Sequence, residues 1–183
     1  MNKAKIIASV KYWLQQSVIG KNLCPFAKKE FNQNTIHYEV TNSPQVEMHF
    51  HHLIDELHRL DNEPKTSTSI LIIPKGLEKF EDYLDFLELA NILLIEENYQ
   101  GVYQLASFHP DYCFDQVEVN DPANYTNRSP FPLVHILRED QMETAIANFT
   151  DTESIPQNNI RLIHEEGLSH FIKVLETCKN MAK

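Results

Sequence analysis

Residues 69–74 read SILIIP, four consecutive aliphatic side chains closed by Pro74 and, two residues on, Gly76. A short apolar run without polar alternation, bounded by residues that cannot continue a ladder, is a buried strand. Its neighbours decide the fold. Before it, Ser43-Pro44 is a helix-start signal, and Val46, Phe50, Leu53, Ile54, Leu57 and Leu60 recur at helical spacing up to the polar connection DNEPKTST. After it, residues 78–98 repeat Phe80, Tyr83, Leu84, Leu87, Leu94 and Ile95, which predicts a second long helix.

Three further segments read as strands: TIHYEV at 35–40, VYQLASF after Gly101, and PLVHILRE at 132–139. Residues 3–19 set Ile6, Ile7, Val10, Trp13, Leu14 and Val18 on one helical face, with Gly20 placed to cap it. A short helix follows in KNLCPFAKKEF, with Pro25 in its first turn and Asn22 as the better cap candidate. Residues 141–149 and 157–181 are helical, the latter with Ile160, Ile163, Phe171, Ile172 and Leu175 inward. The expectation is an α/β fold, with α+β as the alternative. Helix-linked strands favour right-handed, parallel crossovers, and the last two strands pair antiparallel in a mixed four-stranded sheet. This is the βαβαββα order of thioredoxin-like folds, but TNSPQ stands where their CxxC follows the first strand. No repeat or linker divides the chain, so residues 1–183 are expected to form a single domain.

Composition narrows the function. The formal charge of −10 repels a phosphate backbone, which excludes bulk nucleic-acid binding and leaves room for a local basic pocket. No apolar run reaches the roughly 18 residues of a membrane span, and MNKAKIIASVKYWLQQ lacks the unbroken apolar centre of a signal peptide. Three cysteines without CxxC spacing read as reduced thiols, so the expected location is cytoplasmic and the three Asn-X-Ser/Thr matches are chance. Four scattered glycines build neither a phosphate-cradling loop nor a dinucleotide fingerprint.

The candidate chemistry lies mostly in the long connection FHPDYCFDQVEVNDPANYTNRSPFP. Connections this long are functional or disordered, and five aromatic residues with four prolines argue for an anchored loop. His109 beside Asp111 suits acid–base chemistry, metal ligation or a hydrogen-bonded brace. Arg128 offers a planar donor fork to an anion, with Asn124, Asn127 and Ser129 as further donors, or is satisfied by Asp111 or Asp121 within the loop. On the following strand, alternation puts His135 with Leu133 and Leu137, opposite Arg138. If the strands bring His135 to His109, the imidazoles with Asp111 or Cys24 suit a transition metal; otherwise His135 is a core residue. Cys24, near a helix start and three lysines, is the best nucleophile of the three thiols, with burial as its competing fate.

Read together, LCPFA, LASFHPDY, NYTNRSPFP and HILRE resemble an uncharacterised bacterial family catalogued as domain of unknown function 1415. The resemblance covers nearly the whole chain and implies a shared domain and loop, but no activity. Three functions remain open on sequence grounds. One is an enzyme for a small anionic metabolite, using His109, Asp111, Cys24 and Arg128. The others are a metal-binding protein and a non-catalytic binding module. Oligomeric state is not legible.

Overall fold

The computed structural model describes residues 2–147 and 155–183. Helix α1 (Lys3–Trp13) passes without interruption into a π-helical turn at Leu14–Ile19. Helix α2 (Ala27–Gln33) leads into strand β1 (Ile36–Val40), helix α3 (Val46–Asn62) and strand β2 (Thr68–Ile72). Helix α4 (Phe80–Glu96), strand β3 (Tyr103–Phe108) and strand β4 (Leu133–Arg138) follow, and α5 (Glu139–Ala147), α6 (Ile155–Glu166) and α7 (Ser169–Met181) end the chain. The sheet order is β1-β2-β4-β3, with β1 parallel to β2 and the other two pairs antiparallel. The α/β class, the mixed four-stranded sheet and the βαβαββα chain order are those expected.

SILIIP supplies strand β2, every residue of which is buried. Its alternation feeds two cores. Leu71 and Ile73 meet Leu53, Leu57 and Leu60 of α3 and Tyr83, Phe86 and Ala90 of α4. Ile70 and Ile72 meet Ile6, Val10 and Trp13 of α1 and Val174 and Cys178 of α7. A sheet covered on both faces by helices follows directly from a strand that is apolar at every position. A smaller cluster of Leu23, Ile163 and Phe171 joins α6 and α7 to the segment after the π turn.

Local readings shift in instructive ways. Gly20 is right-handed (φ −63°), and the left-handed residue of that turn is Asn22 (φ 53°). Glycine is needed at position 20 for space instead, since a Cβ there would lie 2.7 Å from the Gln16 carbonyl oxygen. Residues 157–181 are not one helix. Gly167, at φ +77°, breaks them into α6 and α7 and leaves Ile160 and Ile172 outside. On α4, Leu84 and Ile95 point to solvent while Phe86 and Ala90 are buried. Residues 148 and 149, read as helical from the sequence, lie outside the described residues.

Candidate functional site: a cavity beside the sheet and a self-locked loop

The long connection between β3 and β4 is built from its own hydrogen bonds. At its start, His109 is fully buried. Its Nε2 lies 3.1 Å from the Leu77 carbonyl oxygen and its Nδ1 accepts from the backbone N–H of Asp111 at 3.0 Å. The rings of Phe80 and Tyr83 flank the imidazole, and burial pushes its pKa down. With both nitrogens held by backbone, His109 is a brace. The Asp111 carboxylate does not orient it; the Asp111 amide does, and the side chain is exposed.

The second half of the loop closes on the first. The His109 amide donates to the Asn127 carbonyl and the Ser129 amide donates to the His109 carbonyl, both at 3.3 Å. The carboxamide of fully buried Asn124 accepts from the Phe114 amide at 3.0 Å and donates to the Glu118 and Val119 carbonyls. Asn127 donates to Ser107 O at 3.1 Å, and Ser129 donates to Phe131 O at 2.5 Å. Arg128 faces neither the loop aspartates nor an open site. It donates to the carbonyls of Tyr112 (3.2 Å) and Val119 (2.7 Å) and stacks over the Tyr125 ring. The expected anion clamp is therefore arranged as a lock on the loop's own carbonyls. Asp121 caps the 3₁₀ turn Pro122–Thr126 instead of pairing with Arg128.

His109 and His135 do not converge. In the β3–β4 register Ala106 faces His135, so His135 lies on the α1 side, whereas His109 packs against α4 on the other. The metal set proposed from His109, His135 and Asp111 or Cys24 is thus split between two faces. Arg138, expected opposite His135, is opposite: its guanidinium donates to the Leu60 and Thr66 carbonyls and the Tyr103 hydroxyl on the α3 side.

Two flagged residues do come together. His135 and Cys24 both line a cavity of about 190 Å³ between the sheet and the N-terminal helix. Ala106, Phe108, Leu133 and Leu137 supply apolar floor, Trp13, Leu14 and Val18 the roof, and Met142 and Ala145 of α5 one end. The π turn carries Leu14 and Val18. π turns recur at functional sites. Burial pushes the Cys24 thiol up despite the Phe26 and Ala27 amides, so at neutral pH it is a thiol that lines the wall rather than a thiolate.

His135 carries the cavity's polarity. Its Nε2 sits 2.7 Å from the Thr68 hydroxyl, which itself donates to the Ile136 carbonyl at 2.5 Å. A hydroxyl that donates elsewhere must accept here, which fixes the proton on Nε2 and leaves Nδ1 as an acceptor. Among the described residues His135 makes its one side-chain hydrogen bond through Nε2, and none reaches Nδ1. Burial pushes the imidazole down to about 4, so it is neutral throughout the physiological range. At the cavity edge, burial opposes ionised Glu30, but the hydroxyls of Thr35 and Ser67 and the nearby Lys29 together hold its carboxyl below its ordinary value. Thr68, placed in a polar connection on sequence grounds, was findable only by extending the β2 alternation one residue back, onto the face of Ile70 and Ile72.

The class defined by this geometry is an α/β protein with helices on both faces of a mixed sheet and a largely apolar cavity against one of them. Residues 5–173 match the model of a family described as "Protein of unknown function (DUF1415)", and the chain belongs to that family. No curated protein and no solved structure matches it. Among the described residues no helix is long and apolar enough to cross a membrane.

Proposed function

We propose that this protein binds a small, largely apolar molecule carrying one hydrogen-bond donor, in the cavity lined by Trp13, Cys24, Phe108 and His135. The observation that carries the reading is a neutral, desolvated imidazole with a free acceptor at the wall of a cavity of about 190 Å³. An apolar cavity of roughly 150 Å³ accommodates a benzene ring, so this one suits a single ring or a short branched chain. Apolar walls supply affinity through burial, and one placed polar group supplies orientation.

Binding is favoured over acid–base catalysis on magnitude. A general base works best with a pKa near the operating pH, and an imidazole at about 4 accepts a hydrogen bond well and a proton poorly. An anionic ligand is disfavoured, because Glu30 places a carboxylate at the cavity and Arg138, which also lines it, donates through both terminal nitrogens to the Leu60 and Thr66 carbonyls and the Tyr103 hydroxyl, with its buried Nε left without a partner. The test uses phenol and toluene, which share a shape and differ in one hydroxyl. In NMR titrations both are expected to shift the Ala106, Leu133 and Leu137 resonances. Phenol alone should shift the His135 ring and bind about tenfold more tightly, the worth of one net hydrogen bond. If neither compound moves the lining resonances, the reading fails.

A further inference from the structure

On the opposite face of the sheet, at its β1 edge, three side chains converge that the cavity does not involve. His37 and Glu39 project from β1 and Glu56 from α3, and one ligand atom from each lies within 4.8 Å of the others. His37 Nε2 is 3.6 Å from Glu56 Oε2 and 3.9 Å from Glu39 Oε2. The Glu56 side chain is 1% exposed. His37 Nε2 is itself buried and has no hydrogen-bond partner. A buried, partnerless ring nitrogen aimed at two carboxylate oxygens calls for an explanation.

A shared proton does not provide one. An imidazolium N–H bonded to a carboxylate closes to about 2.7–2.9 Å, and neither distance approaches that range. A divalent metal fits better. Zinc holds imidazole nitrogen and carboxylate oxygen at about 2.0–2.2 Å, so neighbouring ligand atoms in a tetrahedral site stand about 3.4 Å apart. The separations of 3.6 and 3.9 Å reach that value with shifts of a few tenths of an ångström. The surrounding groups also suit a ligand set. The Ser69 hydroxyl donates to Glu56 Oε2 and the Arg59 guanidinium holds its other oxygen at 3.1 Å. His52 Nδ1 lies 3.7 Å from Glu39 Oε1. These are the outer contacts that aim first ligands and fix their geometry. Lys3, half exposed, pairs with Glu39 Oε2 at 2.8 Å, a contact that a metal bound to that oxygen would displace.

The geometry points to a divalent transition-metal site, Zn²⁺ foremost, ligated by His37 Nε2, Glu39 and Glu56, with the fourth position open to water. It is independent of the cavity. Calorimetric titration of ZnCl₂ and MnCl₂ into untagged, chelator-stripped protein at pH 7.5 tests it, with NMR of the histidine rings reporting where the ion sits. One equivalent of Zn²⁺ is expected to bind, with the His37 ring shifting first. Glu56→Gln removes a buried charge and risks the fold, so the deciding variants are His37→Ala and His37→Gln at the half-buried strand edge. Each should weaken Zn²⁺ binding by more than about 100-fold, beyond the usual cost of losing a partner outside the ligand set, while leaving phenol binding in the cavity unchanged. Stoichiometric Zn²⁺ binding that survives both variants, or no stoichiometric binding of either ion, overturns the site. A His37 ring whose resonances ignore both metals overturns it equally.

Discussion

The loop between β3 and β4 and the cavity across the sheet hold polar groups in opposite ways. In the loop the polar side chains point at backbone, most of it the loop's own: Asn124 at three backbone groups, Arg128 at two carbonyls, and His109 at the Asp111 amide and, outside the loop, the Leu77 carbonyl. In the cavity one imidazole keeps an acceptor unpaired against apolar walls. A segment dense in reactive residue types is therefore the saturated region, and a sparse, apolar one keeps binding capacity. Side chains that satisfy an irregular backbone are consumed by that task, because a buried loop must pair its amides and carbonyls somewhere.

The comparison breaks most visibly at Asn124. Asn124→Ala orphans the Phe114 amide and the Glu118 and Val119 carbonyls, and should cost about 3 kcal/mol in urea denaturation while leaving phenol affinity of the folded protein intact. A loss under about 1 kcal/mol, or a matching loss of phenol binding, would erase the distinction between the two regions.

Acid should strike the cavity. The folded pKa of His135 lies near 4, below the ordinary 6.5. The unfolded chain therefore takes up the proton first. His135 contributes its full share of stability above pH 6.5, loses it as pH falls toward 4, and changes little below that. The loss is on the order of 2 kcal/mol, and His135→Gln should flatten that part of the stability–pH curve. Some slope will remain, since His49 and His109 are also shifted down by burial. An unchanged slope in the variant would mean that His135 reaches water.

Thr68→Val is smaller, about 1.5 kcal/mol, because it leaves the His135 Nε2–H and the Ile136 carbonyl without their shared hydroxyl. Its sharper signature is a changed phenol-over-toluene preference, as the imidazole loses its fixed tautomer. Smallest of all, Ala106→Leu fills the cavity floor and should leave stability within about 1 kcal/mol of the parent, or raise it, while abolishing phenol binding. Intact phenol binding there would place the ligand elsewhere.

How much of this was legible in the sequence follows from what fixes each feature. Strand positions and chain order were readable because SILIIP, VYQLASF and PLVHILRE are short apolar runs with clear stops. The inward face of α4 was not: FEDYLDFLELANILLIE is apolar on several sides, so periodicity alone put Leu84 and Ile95 inside in place of Phe86 and Ala90. His135 was correctly set on the Leu133–Leu137 face by alternation. Whether it met His109 depended on the β3–β4 register, which a long connection does not specify and a tight hairpin would have. Cys24 and His135 were both flagged, but the cavity joining them depends on the π turn and on Thr68, neither of which announces itself in one sequence. His37, Glu39 and Glu56 lie on two elements whose packing no spacing rule predicts.

Trp13 touches both regions at once. It is the chain's single tryptophan and 3% exposed. Its ring lines the cavity and packs edge-on against Phe108, while its indole N–H donates to the Arg128 carbonyl at 3.1 Å. The molecule thus carries an intrinsic fluorophore with one contact in each place. Occupation of the cavity should change its quantum yield with the emission maximum held blue, whereas release of the loop should frees the indole N–H to water and move the maximum to the red. One emission spectrum separates the two events without a label.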